Sequence, residues 1–201
     1  MQYSQKRPLR ASTWDRSDAY HPLSIEGYRV TPALIERVRC GDWNPESSDA
    51  DRKNRYALPA RGYWQAFQLV KQAVEKIIAG ADIGTISFFP RIGLCPTSWE
   101  AVRDAMPALF DRLESETEPA VRAVLSHWLF GYIHPYMDGN GRTARFLMNA
   151  MLASGGYPWT VVRVEDRARY LSALDAASID LNIEPFISAA TVQSGPATSK
   201  T

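Results

Sequence analysis

The sequence predicts one all-α domain, mainly helical, with a single short β-hairpin. Two observations lead to this prediction. Apolar residues recur at intervals of three and four along most of the chain, as they do on the buried face of an amphipathic helix. The segment 83–95 breaks that spacing and favours extended structure. A length of 201 residues with 45% hydrophobic content is sufficient for one core.

Composition excludes several classes of protein. The 23 basic and 22 acidic residues give a net charge of +1, which argues against direct binding to nucleic acid. The chain has no apolar run of the roughly 20 residues that span a bilayer, so no membrane partner is expected. Two isolated cysteines make neither a disulfide scaffold nor a zinc site. We expect a cytoplasmic protein.

The two ends of the chain differ from the centre. Residues 1–19 are polar with few apolar anchors, and we expect a flexible segment there. Residues 193–201 are small and polar and predict a disordered tail. The domain is therefore expected to occupy residues 20–192.

The first half of this domain carries clear helix signals. Thr31 and Pro32 form the start of a short helix that ends before Gly41. The polar stretch 42–53 is expected to be an ordered loop. A stripe of apolar residues then predicts a long amphipathic helix over 61–79.

The second half begins with the predicted hairpin at 83–95, whose Phe88 and Phe89 could equally be core residues. The following helix opens at a capping box, 97–100, and is expected to bend or split at Pro107. Further helices are predicted from residue 119 to about 133 and over 142–154, 166–180 and 184–192.

The most informative stretch is residues 134–145, HPYMDGNGRTAR, in a loop between two predicted helices. An imidazole such as that of His134 can take a proton from a hydroxyl at neutral pH. The carboxylate of Asp138 is a ligand that Mg²⁺ commonly uses beside phosphate oxygens. The stretch thus places a candidate base and a candidate metal ligand a few residues apart.

The start of the second of these helices suits a phosphate. The amides of Gly141, Arg142 and Thr143 are expected among its unpaired first-turn donors. Arg142 and Arg145 share one face there, although cations at a helix start are unfavourable by about 0.3–1 kcal/mol each. Because guanidinium groups grip phosphate oxygens in pairs, a bound di- or triphosphate would offset this cost.

Residues 134–145 resemble the Fic family signature, H-P-F-x-[D/E]-G-N-G-R-x-x-R, with Tyr136 in place of the usual Phe. The helix containing residues 146–149 and the turn at 155–158 are also similar to this family, so the resemblance covers roughly residues 20–190. It implies a helical Fic fold with a flap, at 83–95, that docks the target by strand pairing.

The resemblance implies a nucleotidyltransferase that moves AMP from ATP to a Ser, Thr or Tyr hydroxyl of a target protein, including the chain itself. His134 would deprotonate that hydroxyl and Asp138 would hold Mg²⁺. The implied phosphate ligands are Gly139, Asn140 and Gly141, with Arg142 at the β-phosphate and Arg145 at the γ-phosphate. A homodimer is a further partner that the resemblance admits.

Two other functions stay open. One is related chemistry at the same site: transfer of another nucleotide or of phosphate, or removal of AMP. The other is nucleotide binding without turnover, which an intact His134 disfavours because a binding protein needs no base.

The segment 22–27 resembles the inhibitory motif that some family members carry ahead of the domain. A carboxylate of Glu26 that reached Arg145 would take the place of the γ-phosphate. The alternative is an exposed glutamate before a turn. His127 likewise has two interpretations, a metal ligand with His134 or a core histidine, and the second is favoured.

Overall fold

The computed structural model describes residues 16–79 and 99–192, and within them the chain forms nine α-helices and one 3₁₀ turn but no strand. The helices are α1 Arg16–Ile25, α2 Pro32–Cys40, α3 Asp49–Lys53, α4 Ala57–Ile78, α5 Trp99–Ser115, α6 Pro119–Ile133, α7 Asn140–Ser154, α8 Arg167–Ile179 and α9 Glu184–Val192; the 3₁₀ turn is Val164–Asp166. This confirms the mainly helical fold. The predicted hairpin at 83–95 and the tail at 193–201 lie outside the described residues.

Helix α7 is the centre of the fold. It packs along α6 and also contacts α4, while α5 lies against α6 and α2 against α4. Nearly every side chain from Ala144 to Ala153 is buried. A helix that is buried on most of its faces is enclosed by other helices. The first turn of α7, which belongs to the candidate site, therefore lies close to the middle of the domain.

Capping residues and prolines in the sequence predicted several helix ends correctly. The Thr31 hydroxyl accepts a hydrogen bond from the Leu34 amide at 3.2 Å, and Gly41 follows α2 in the left-handed region at φ 80°. Helix α6 begins at Pro119 as predicted, and the bounds of α8 and α9 agree with prediction to within one residue.

Helix α1 corrects the last part of the prediction that residues 1–19 are flexible, since residues 16–19 are helical. Residues 1–15 lie outside the described residues. Ala19 and Leu23 of this helix are buried in the main core, and α1 packs against α2 and α4. The helix is short, polar and contains Pro22, so packing against the rest of the domain stabilises it rather than intrinsic propensity.

Three smaller differences between the predicted and observed helices each have a local physical cause. The stretch expected to be a loop at 42–53 ends in helix α3, whose first turn Ser48 caps. Helix α4 starts at Ala57, four residues before the predicted start, because Ala57 and Ala60 are also buried. Helix α5 continues through Pro107 as one element, since that residue is exposed and the hydrogen bond it removes faces water.

A second, smaller core joins α1 to the C-terminal helices. It contains Ile25 of α1 together with Tyr170 and Phe186 of α8 and α9. Two hydrogen bonds fasten the same helix: the Val164 amide donates to His21 Nδ1 at 3.1 Å, and Arg167 Nε donates to the Ile25 carbonyl at 2.8 Å. Helix α1 is therefore an integral part of the domain.

Within residues 16–79 and 99–192, no helix has the length and apolar character that crossing a bilayer requires.

Candidate active site

His134 ends helix α6 and turns the chain into the loop that follows. Its backbone is left-handed, with φ 53° and ψ 56°, and its amide donates to the Phe130 carbonyl at 3.1 Å. The side chain is exposed, and Nδ1 lies 3.3 Å from the Gly131 carbonyl oxygen. Because a carbonyl only accepts, Nδ1 carries the proton and Nε2 carries the lone pair.

The loop after His134 is held by Asn140. The Tyr136 amide donates to Asn140 Oδ1 at 2.9 Å, and the Asn140 side-chain amide donates back to the Tyr136 carbonyl. The ring of Tyr136 packs against Phe130, so tyrosine keeps the anchoring role expected of the aromatic at this position. The side chain of Asn140 is therefore used in bracing the loop.

Helix α7 starts two residues earlier than the sequence predicted. Gly139 is its N-cap, with φ 85°, and the first helical hydrogen bond runs from the Thr143 amide to the Gly139 carbonyl at 2.9 Å. The Thr143 amide is thus paired, contrary to expectation. The first-turn donors that precede the helical ladder are the amides of Asn140, Gly141 and Arg142.

Glu26 lies between the two arginines of this helix. Its Oε1 is 2.7 Å from Arg145 Nη2, and its Oε2 is 2.7 Å from Arg142 Nε. Arg145 also donates to the Pro22 carbonyl at 3.2 Å. The side chains of Arg145, Arg142 and Glu26 are 7%, 15% and 18% exposed, so this contact is largely shielded from water. The alternative interpretation of Glu26, as an exposed glutamate before a turn, is therefore wrong.

Gly141 makes room for this arrangement. A Cβ atom at position 141 would lie 3.0 Å from Glu26 Oε1 and 3.2 Å from Arg145 Nη1. Both distances are shorter than ordinary van der Waals contact. The absence of a side chain here lets a carboxylate approach the start of α7 closely.

The charge of Arg145 persists in this buried position. Burial acts to lower the pKa of its guanidinium, but Tyr170 and Glu26 outweigh that effect and raise the pKa above its ordinary value. Arg145 therefore presents a full positive charge to whatever occupies the place of Glu26.

Asp138 is held on the other side of Arg142. Arg142 Nη2 donates to Asp138 Oδ2 at 2.8 Å, and the Tyr28 hydroxyl donates to the same oxygen at 3.1 Å. Burial acts to raise the pKa of Asp138, but Arg142 and these hydrogen bonds lower it overall, so the group is a carboxylate. Tyr28 was missed in the sequence because its contact spans 110 residues and belongs to no local motif.

The donors at the start of α7 fit a phosphate better than they fit one carboxylate. Among the described side chains, Arg142 Nε, Arg145 Nε and Glu26 Oε2 are buried without an aligned hydrogen-bond partner. The 2.7 Å approach of Arg142 Nε to Glu26 Oε2 is thus a charge contact. Two guanidinium groups have more donors than a single carboxylate can satisfy, and the oxygens of a polyphosphate would satisfy more of them.

A magnesium ion also fits, though only with a phosphate. The described part of the chain contains no group of three His, Cys, Asp or Glu side chains that could hold a metal by itself. Mg²⁺ is commonly bound by one or two carboxylates together with substrate phosphates and waters. Asp138 could supply the one carboxylate that this mode of binding needs.

His127 is a core histidine, as favoured from the sequence. It is buried, its Nε2 lies 2.8 Å from the Tyr170 hydroxyl oxygen and its Nδ1 lies 3.2 Å from the Met148 sulfur. Burial, with the nearby charge of Arg145, lowers its pKa to about 3. The imidazole is therefore neutral and bonded within the protein.

Part of the sequence is similar to a known protein family and to named relatives. Residues 65–152 match the family model described as the Fic/DOC family. The chain is 43% identical over 96 residues to a protein named protein adenylyltransferase Fic from Nematostella vectensis, and 35% identical over 96 residues to protein adenylyltransferase fic-1 from Caenorhabditis elegans. Each alignment covers 46% of this chain, and 22% and 19% of the relatives. The chain thus spans about a fifth of the length of these curated relatives.

Solved structures support the same fold. Fic-1 from C. elegans superposes with a TM-score of 0.69 at 23% identity, covering 96% of this chain and 64% of that one. A Fic domain containing signaling protein from Bacteroides thetaiotaomicron superposes with a TM-score of 0.60 at 21% identity, covering 92% and 81%. The likeness extends through most of the chain, including the helices outside residues 65–152.

Proposed function

We propose that this chain, whose residues 65–152 belong to the Fic/DOC family, transfers AMP from ATP to a hydroxyl group of a target protein. The observation that carries the proposal is the guanidinium pair at the start of α7, with the carboxylate of Asp138 bound to Arg142. His134 lies at the end of α6, where the loop to this helix begins. Relatives named protein adenylyltransferases align with 46% of the chain.

The triphosphate would lie across the first turn of α7. Arg145, the more deeply buried of the two arginines, would bind the γ-phosphate where Glu26 now lies, and Arg142 would bind the β-phosphate. The amides of the first turn and the positive end of the helix dipole would hold the remaining oxygens. Gly139 and Gly141 allow the phosphates to approach the backbone.

The reaction requires little beyond positioning and a proton acceptor. The target's hydroxyl oxygen attacks the α-phosphorus while His134 Nε2 takes its proton. The bond from that phosphorus to the oxygen bridging to the β-phosphate breaks, and pyrophosphate leaves with the electron pair. The guanidinium groups stabilise the charge that accumulates on the leaving group. Asp138 would hold Mg²⁺, which when bound supplies further neutralisation of the phosphate oxygens.

Glu26 supports a second part of the proposal, that the described arrangement is autoinhibited. Its carboxylate binds Arg145 and Arg142 together, so the terminal phosphate of ATP cannot reach them in the same geometry. Helix α1, which ends at Ile25 directly before Glu26, is fastened to Val164 and Arg167 by hydrogen bonds. Transfer therefore requires Glu26 to leave the arginines.

The test measures the mass of the intact protein and of proteins in a cell lysate after incubation with ATP and Mg²⁺. Glu26→Gly should gain adenylyl groups or label targets at a rate at least tenfold above the parent chain. Adding His134→Ala to Glu26→Gly should abolish transfer and leave ATP binding intact.

Two results would contradict the proposal. Gain of a bare phosphate would indicate the related chemistry left open from the sequence. Absence of any adenylyl transfer by Glu26→Gly, with ATP bound, would indicate a nucleotide-binding protein.

A further inference from the structure

Tyr28 contacts both members of the ion pair between Arg142 and Asp138, and the proposed function gives it no role. Its hydroxyl donates to Asp138 Oδ2 at 3.1 Å, and Cζ of Arg142 lies over its ring, 5.3 Å from the ring centre. A guanidinium group within about 6 Å of an aromatic ring centre is attracted to the ring. One half-buried side chain therefore contacts the residue proposed to bind Mg²⁺ and the residue proposed to bind the β-phosphate.

The turn that closes α1 fixes the position of Tyr28. Gly27 is left-handed at φ 86°, and its amide donates to the Ser24 carbonyl at 3.0 Å. The Tyr28 amide donates to the Leu23 carbonyl at 3.1 Å. This pair of bonds is the Schellman motif, which closes many helices. The backbone makes these contacts and the Glu26 side chain does not, so Tyr28 can keep its place when that carboxylate leaves the arginines.

The carboxylate of Asp138 needs such support because its side chain is 71% exposed. Arg142 Nη2 donates to Asp138 Oδ2 at 2.8 Å, so Arg142 and Tyr28 bind the same oxygen. Two donors on one oxygen restrict the rotation of the carboxylate group. Oδ1, which takes part in neither of these bonds, can then coordinate a cation.

The two donors to Asp138 differ in what else they do. In the proposed complex Arg142 also binds the β-phosphate, so its N–H groups are shared between Asp138 and the nucleotide. The Tyr28 hydroxyl is neutral and donates to the carboxylate alone among these groups. Unlike a second guanidinium, a hydroxyl adds no positive charge beside a bound cation. Tyr28 can therefore orient the carboxylate without opposing the metal.

We propose that Tyr28 is a positioning residue, which orients the carboxylate of Asp138 for Mg²⁺ and the guanidinium of Arg142 for the β-phosphate. The proposal rests on the proposed function, in which those two residues bind the metal and the phosphate. Loss of a group that hydrogen-bonds a metal-ligating side chain typically lowers metal affinity tenfold or more. The same turn thus carries Glu26, which blocks the nucleotide, and Tyr28, which supports its metal.

The experiment measures ATP affinity by titration calorimetry in the Glu26→Gly background, with Mg²⁺ and with EDTA, and without a target protein. In Tyr28→Phe the gain in affinity that Mg²⁺ provides should fall about tenfold, since the hydrogen bond to Asp138 is lost. The affinity in EDTA should stay within about twofold, because the ring remains over Arg142. Tyr28→Leu, which also removes the ring, should weaken binding in EDTA several-fold as well.

Two further variants in the same background provide the controls. Asp138→Asn gives the gain expected when the proposed carboxylate no longer binds Mg²⁺. Tyr157→Phe is the matched control, because the Tyr157 hydroxyl also lies near a carboxylate, 3.5 Å from Glu118 Oε1, but at the opposite end of α7. It should leave both affinities unchanged.

Comparing the two conditions separates positioning from general damage, because a loosened fold would weaken ATP binding with and without Mg²⁺ alike. Equal weakening in both conditions by Tyr28→Phe overturns the proposal, and so does an unchanged gain from Mg²⁺. Either result would leave the proposed function standing, since ATP would still bind. Failure of Glu26→Gly itself to bind ATP in either condition would overturn the proposed function and this proposal with it.

Discussion

Glu26 Oε1 and Arg145 Nη2 lie 2.7 Å apart although 119 residues separate them along the chain. The contact joins the turn that follows α1 to the first turns of α7, and it is largely enclosed by the domain. In the proposed function, one guanidinium therefore serves both the inhibited arrangement and the substrate. The two uses exclude each other.

The first prediction concerns stability. Glu26→Gln leaves the buried charge of Arg145 without its partner, so we expect the free energy of unfolding to fall by about 1–3 kcal/mol. ATP with Mg²⁺ should then raise the melting temperature of Glu26→Gln by several degrees and that of the parent chain much less. Thermal unfolding with and without nucleotide measures both effects.

Glu36→Gln is the control for this prediction, because it breaks an exposed ion pair with Arg39. Its stability should stay within about 0.5 kcal/mol of the parent and its response to ATP should be unchanged. Equal stabilisation of the parent and Glu26→Gln by ATP would show that the carboxylate does not compete with nucleotide.

The second prediction concerns the space beside Arg145. In the Glu26→Gly background, Gly141→Ala should weaken ATP binding about tenfold, because its Cβ would lie 3.2 Å from Nη1 of the guanidinium group that the phosphate must reach. Gly62→Ala, whose added methyl group meets no atom within 4 Å, is the control. Unaltered affinity in Gly141→Ala would place the phosphate elsewhere.

The third prediction tests the packing of α6 against the end of α7. An added Cβ at Gly155 would lie 2.3 Å from Cβ of Pro119, a rigid ring at the start of α6. We expect Gly155→Ala to cost about 1–3 kcal/mol in unfolding free energy. Gly62→Ala, in the exposed part of α4, should instead gain about 0.5–1 kcal/mol. Chemical denaturation compares the two, and a neutral Gly155→Ala would mean that these helix ends can separate freely.

The fourth prediction concerns pH. The pKa of His127 is about 3 in the folded protein against an ordinary 6.5, so folding favours the neutral imidazole. Its contribution to stability is complete above about pH 6.5 and is lost as the pH falls toward 3, by about 1.4 kcal/mol per pH unit. Denaturant unfolding of the parent and His127→Gln over this range isolates the effect, since the carboxylates titrate in both. Parallel stability curves would contradict it.

The sequence predicted those parts of the site that depend on local spacing. The stretch 134–145 identified the end of one helix, the start of the next and the two arginines, because neighbours along a helix have fixed geometry. The family resemblance also pointed to Glu26 as a partner of Arg145, which the structure brings together at hydrogen-bond distance. Its inhibitory role stays a prediction.

Other features depend on tertiary contacts that spacing does not encode. Helix α1 contains Pro22 and has little amphipathic character, and it becomes helical because the core and the Arg167 side chain stabilise it. Tyr28 contacts Asp138 across 110 residues of the chain, so no local motif marks it. Asn140 was assigned to the phosphates, whereas its side chain braces the loop through Tyr136.

Counting formal charges around the first turn of α7 reveals a balance. The guanidinium groups of Arg142 and Arg145 face the carboxylates of Glu26 and Asp138, so the closed pocket is electroneutral. Withdrawal of Glu26 leaves one uncompensated cation. Its electrostatic attraction for an approaching polyanion is screened beyond roughly 8–10 Å at physiological ionic strength. Added salt should therefore lower the association rate of nucleotide when Glu26 has withdrawn. It should have little effect on that rate while Glu26 binds the arginines.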